Sequence, residues 1–164
     1  MTPKSILPQN ETILRNRFPL VLQRIIEAGA RMPQDFFYED SDTGSKLMIQ
    51  RGEFAFPAYG NYKKENLITR WFSSLALHPE SLYAVTGFGD GSHLSYFLDN
   101  STSGTNFLAA EKDPSLLRET LARFDLTKLL SNERFILGTG EIDDAFFADI
   151  QGAALSGVSD VNSV

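Results

Sequence analysis

Apolar residues recur at three- and four-residue steps near the start of the chain, at Leu14, Phe18, Val21, Leu22, Ile25 and Ile26. That period predicts a helix, with Gly29 at its C-cap and Pro19 either opening it or kinking it. Two short apolar runs follow, Phe36-Phe37-Tyr38 and Leu47-Met48-Ile49, parted by a polar, turn-rich stretch in which Gly44 can take a positive φ. They predict a strand, a turn and a second strand, and residues 53–56 predict an edge strand that Pro57 stops. Over residues 61–77 the stripe Leu67, Ile68, Trp71, Phe72, Leu75 and Ala76 predicts a helix that buries its large side chains and ends at His78-Pro79.

From residue 81 onward the pattern alternates between strand and helix. Strands are predicted at 82–86, 105–110 and 134–137, and helices at 92–98, 114–124 and 142–150, with a further element beginning near 158. Asp113 stands as the N-cap of the helix that opens with Pro114. Strands spaced by helical segments imply a parallel sheet with right-handed crossovers. The fold class expected is therefore α/β: a Rossmann-like, three-layer unit over residues 61–164. A helical and β-hairpin lead-in over residues 1–60 precedes it, the whole forming one domain. The alternation breaks off where another strand is due, so the chain is expected to be a domain of something longer.

Composition narrows the classes of function. The 164 residues carry 15 Lys and Arg against 21 Asp and Glu, for a net charge of −6. No basic patch suited to phosphate backbones is visible, so nucleic acid is not an expected partner. With no Cys and only His78 and His93, disulfides, thiolate zinc sites, cysteine nucleophiles and multi-histidine metal centres are excluded. Residues 1–17 are polar and interrupted by proline, unlike a signal peptide, and no apolar window reaches membrane-spanning length. A cytoplasmic protein without membrane partners is expected.

The candidate chemistry centres on Gly87-Phe88-Gly89-Asp90-Gly91-Ser92, which follows a predicted strand and opens a predicted helix, while Glu111 ends the next strand. Nucleotide-binding βαβ units share this layout, in which glycines admit a ligand and the distal acid accepts from ribose hydroxyls. The same glycines also suit plain close packing of strand on helix. Gly87, Gly89, Asp90, Gly91, His93 and Glu111 are the candidate ligand-binding residues. A carboxylate at Asp90 opposes a pyrophosphate and suits a cationic adenosyl ligand such as S-adenosylmethionine. Glu111-Lys112-Asp113 then matches the acidic second motif of class I methyltransferases, although Val85 stands where those enzymes usually carry an acid.

Other motifs are weaker. Asp40-Ser41-Asp42 mimics a D-x-D metal motif but lies in a stretch where Asp favours turns. Glu141, Asp143 and Asp144 suit a helix start. There is no P-loop motif.

Three segments together resemble the N-terminal region of the motility accessory factor glycosyltransferases and their 6-hydroxymethylpterin diphosphokinase-like relatives. They are Tyr59-Gly60-Asn61-Tyr62-Lys63-Lys64-Glu65-Asn66, Val85 through Leu94, and Glu111-Lys112-Asp113-Pro114. Ser92 and Asp90 depart from the family's usual aromatic and apolar residues. The resemblance implies an accessory Rossmann-like domain without a complete active site, joined to the remainder of a parent chain that carries the transferase chemistry. An S-adenosylmethionine-dependent methyltransferase-like domain and an interaction module are the alternatives. If a small nucleotide-like ligand binds this chain, its expected place is beside the glycine-rich turn, with Glu111 on its hydroxyls.

Overall fold

A computed structural model describes residues 4–60, 62–140 and 146, and the backbone of 160–163. The first apolar stripe is carried by two helices, α1 (Pro8–Arg17) and α2 (Pro19–Ala28). Phe18 leaves helical geometry at φ −133° and Pro19 begins the second helix, where its missing amide costs nothing. Gly29 closes α2 at φ 57°. Strands β1 (Phe36–Ser41), β2 (Gly44–Arg51) and β3 (Phe54–Pro57) then form an antiparallel sheet in that order, with Tyr38 opposite Leu47 and Gln50 opposite Ala55. The turn between β1 and β2 relies on Gly44, whose φ of 128° disfavours any side chain.

The helix expected over 61–77 is shorter. α3 spans Lys64–Ser73 and unwinds at the serine pair, not at His78-Pro79. The Ser73 hydroxyl donates to the Thr69 carbonyl (2.8 Å) and the Ser74 hydroxyl to that of Trp71 (2.6 Å), competing with the helical ladder. Its large residues do not reach full burial either. Ile68 is the buried residue of α3, while Trp71, Phe72 and Leu75 lie half-buried on the rim of the main core. There they meet α4 (Ser92–Asn100) edge-on, Phe72 against Tyr96 (5.4 Å) and Phe97 (5.9 Å).

The second sheet is parallel, in the order β6-β5-β4-β7, with β4 at Ser81–Thr86, β5 at Asn106–Glu111, β6 at Phe135–Thr139 and β7 at Asp160–Ser163. The three strands read from sequence are thus neighbours and parallel. Helix α5 (Pro114–Leu121) is capped by Asp113, whose side chain accepts from the Ser115 amide. The short α6 (Thr127–Leu130) precedes β6. The helix expected at 142–150 lies outside the described residues, apart from Phe146.

One face of this sheet, through Tyr83, Val85, Phe107, Ala109, Phe135 and Leu137, shares a single core with α1, α2, α4, α5 and α6. The opposite face buries Leu82, Ala84, Leu108, Ala110 and Ile136 together with Phe146. Both faces are apolar because a parallel strand is covered on both sides. The antiparallel sheet buries less. Tyr38 and Leu47 pack on Leu116 of α5, which sets that sheet over the carboxyl ends of the parallel strands. Among the described residues no helix is long and apolar enough to cross a membrane.

Candidate functional site

The glycine-rich turn leaves β4 at its carboxyl end. Gly87, Gly89 and Gly91 adopt φ values of 95°, 55° and 77°, a region that side chains enter only with strain. Gly91 is also tightly enclosed, because a Cβ there would stand 3.3 Å from Leu126 and Phe88, which would have to give by a few tenths of an ångström. Between the glycines Phe88 turns inward, fully buried against Phe135. The glycines thus serve a sharp reversal around a buried aromatic anchor.

The turn is bound to the neighbouring strand by Glu111. Its Oε2 accepts from the Phe88 amide (2.9 Å) and its Oε1 from the Asp113 amide (3.0 Å). Its backbone carbonyl accepts from Gly140 just past β6 (2.9 Å). One residue therefore stitches together the carboxyl ends of three parallel strands. Burial raises the Glu111 carboxyl above its ordinary range, partly countered by those amides.

Asp90 behaves otherwise than the sequence suggests. Its carboxylate is buried and turned to protein groups: it accepts from the Tyr59 hydroxyl (2.7 Å), Lys64 Nζ (3.0 Å) and the Ser92 amide (3.0 Å). Burial opposes its charge, but these three donors outweigh burial and hold the carboxyl below its usual range. The Tyr59 phenol is pushed up by its own burial and by the charge of Asp90. The charge that argued for a cationic ligand is thus neutralised inside the protein.

Four amides of the turn are likewise engaged. Gly87 donates to the Ala110 carbonyl (2.7 Å), Phe88 to Glu111, Gly91 to the Phe88 carbonyl (3.0 Å) and Ser92 to Asp90. A cradle for pyrophosphate needs such amides turned outward.

A cleft of about 540 Å³ opens between the two sheets. Thr86, Gly87 and Gly89 form one wall, and Ala110, Glu111, Lys112 and Gly140 form the floor. Phe36, Leu47, Ala58 and Tyr59 cover it from the antiparallel sheet, and His93 and Leu116 complete it. Of the residues proposed from sequence, Gly87, Gly89, His93 and Glu111 line this space, while Asp90 and Gly91 stand behind the turn, packed on Tyr59, Lys64 and Leu126. The His93 ring meets the edge of Trp71 at 5.6 Å, and burial lowers its pKa, so it is neutral at physiological pH.

Sequence reasoning did not single out the covering residues Phe36, Leu47 and Ala58, which only the docking of the hairpin brings here. That docking is specific: the Tyr38 hydroxyl hydrogen-bonds Thr120 Oγ1 (2.7 Å), and Thr120 donates to the Gly89 carbonyl (2.8 Å). Gly140 did carry a signal, since it follows the third parallel strand as Gly87 follows the first. Asp40, of the D-x-D mimic, is held by Lys4, Ser45 and Arg123. Among the described residues no group of three or more acidic or histidine side chains is placed to hold a metal ion. Glu141, Asp143 and Asp144 lie outside the described residues. Compared with family models, curated proteins and solved structures, the chain matches none.

Proposed function

We propose that this chain is a Rossmann-like, three-layer accessory domain of the motility accessory factor type. In this reading its cleft binds a small nucleotide-like ligand, and transferase chemistry belongs to the remainder of a longer parent. One observation carries the reading. The three segments behind the family resemblance are far apart in sequence and meet at one point by direct hydrogen bonds. Tyr59 and Lys64 from the first hold Asp90 of the second, and Phe88 of the second donates to Glu111 of the third.

The strand order supports the Rossmann-like part. β4, β5 and β6 step outward in one direction and β7 returns to the other side of β4, so the order reverses at the strand that bears the glycine-rich turn. Open parallel sheets bind ligands at such a reversal, beyond the carboxyl ends of the strands. A three-layer arrangement further requires cover on the face of Leu82, Leu108 and Ile136, where Phe146 is buried. An accessory rather than catalytic role suits a cleft whose Glu111 and Tyr59 are committed to holding the turn. The S-adenosylmethionine alternative relied on a ligand-facing Asp90 and loses that support.

Calorimetric titration with S-adenosylmethionine, NAD and a nucleotide sugar tests the proposal. The natural chain should bind at least one of them. Ala58→Trp, which fills the cleft from its covering sheet, should abolish that binding without lowering the melting temperature by more than a few degrees. Failure of all three ligands to bind the natural chain would overturn the binding role.

A further inference from the structure

The register of the antiparallel sheet carries the apolar lining of the cleft out beyond it. Residues opposite one another on neighbouring strands share a face, as do residues two apart along a strand. Tyr38 stands opposite Leu47, whose carbonyl accepts from the Ala58 amide, and this row packs on Leu116. The next row on the same face is Phe36, Ile49 and Phe56, and the one after it sets Phe54 opposite Arg51. Leu47, Ala58 and Phe36 line the cleft. Burial then falls away along the face: Ile49 is half-buried, Phe56 is 46% exposed and Phe54 is 72% exposed. Near this tip the other face carries Gln50 and Ala55, so the apolar surface is one-sided. From Ala58 to Phe54 it runs about 13 Å.

Two occupants fit this surface poorly. Phe54 and Phe56 together leave roughly 200 Å² bare, whereas a stable dimer buries about 800 Å² on each partner. An added peptide strand fails as well. Because Ala58 is bonded to Leu47, alternation turns the backbone polar groups of Ala55 and Pro57 to the outer edge of β3, and Pro57 has no N–H to offer. The surface instead suits a narrow apolar group that continues out of the cleft. We propose that the ligand of the cleft carries an aliphatic chain, which passes Phe36 and lies on Ile49, Phe56 and Phe54. This rests on the ligand-binding reading of the cleft and adds the chemical class of the ligand, a nucleotide-like head bearing an acyl or alkyl tail.

The test is a set of calorimetric titrations with adenosine, uridine and their 5′-O-hexanoyl and 5′-O-decanoyl esters, each below its micellar concentration. At least one decanoyl ester should bind roughly tenfold tighter than its nucleoside, with the hexanoyl ester in between, as the chain covers more apolar surface. Phe54→Ser and Phe56→Ser should each remove most of that gain and leave nucleoside binding unchanged. Both side chains lie at the surface, so the melting temperature should stay within a few degrees of the natural chain's. Ester and nucleoside of equal affinity would overturn the tail site and leave the cleft reading intact. A gain that persists in the double variant of Phe54→Ser and Phe56→Ser would also overturn the tail site, because the chain would then bind elsewhere. Ester binding that needs Phe54 and Phe56, with neither nucleoside bound, would keep the tail site and overturn the nucleotide-like head. No binding of any of these compounds would overturn both.

Discussion

Asp90 and Glu111 are both buried carboxylates beside the same turn, and they are shifted in opposite directions. The difference lies in their partners. Asp90 faces a cation, a hydroxyl and an amide, whereas Glu111 faces neutral amides alone, which only partly offset its burial and the charge of Asp113. Glu111→Gln puts an amide NH₂ where a carboxylate oxygen now accepts, leaving the Phe88 or Asp113 N–H unsatisfied. It should cost about 1–3 kcal/mol by urea denaturation. A loss near zero would show that the turn holds without this stitch. His93 adds a pH effect. Its folded pKa lies below the ordinary 6.5, so the unfolded chain takes up a proton first. Stability from this group is complete above the ordinary value and falls as the pH drops through it. Asp90 acts in the same sense at lower pH, while Glu111 opposes them, favouring the fold below its ordinary value of 4.5. Denaturation midpoints measured from about pH 7 to 5 should fall less steeply in His93→Gln than in the natural chain. Equal slopes would remove His93 as the source.

At the scale of elements, α3 and α4 separate half-buried from central aromatics. Phe97 of α4 is fully buried, stacked on Phe107 at 4.0 Å and 5.8 Å from Tyr83. Trp71 touches that cluster only from the rim, at 6.4 Å from Phe97. Phe97→Ala should therefore cost about 3–5 kcal/mol, and Trp71→Ala about 1–2 kcal/mol, since partial burial returns part of the full value. Chemical denaturation ranks the two, and a larger loss for Trp71 would mean that α3 lies deeper than described. The contrast also marks what the sequence could reveal. Periodicity finds the stripe of Leu67, Ile68, Trp71 and Phe72, but gives no depth, because depth depends on what α4 places opposite it. Parallel strands were legible because Leu82–Val85 and Phe107–Ala110 are buried on both faces and read as unbroken apolar runs. The partner of Asp90 was not, since Tyr59 and Lys64 reach it from another element altogether.

Across the whole molecule the two sheets differ in how they are held. β4 and β6 are buried along nearly their entire length, whereas β1 to β3 bury chiefly Tyr38, Leu47 and Met48 and leave Phe54 and Phe56 exposed. Amide hydrogen exchange should accordingly be faster in β1–β3 than in β4–β6, with local opening at a lower free energy than global unfolding. Equal protection in both sheets would mean that the hairpin unit opens only when everything does. A ligand in the cleft touches both sheets, so its binding should slow exchange selectively at Phe36, Leu47 and Ala58.

Asn10 on α1 donates to the carbonyls of Leu121 (2.9 Å) and Phe124 (2.7 Å) and accepts from the Leu126 amide (3.0 Å). These contacts span sequence separations of 111, 114 and 116 residues. During synthesis, α1 leaves the ribosome long before its binding surface exists, and an isolated ten-residue helix is marginal in water. Helix α1 thus waits for the end of α5 and the loop that follows it. That delay exposes Leu14, Phe18 and Val21 to chaperones or to neighbouring chains until α6 and β6 have emerged.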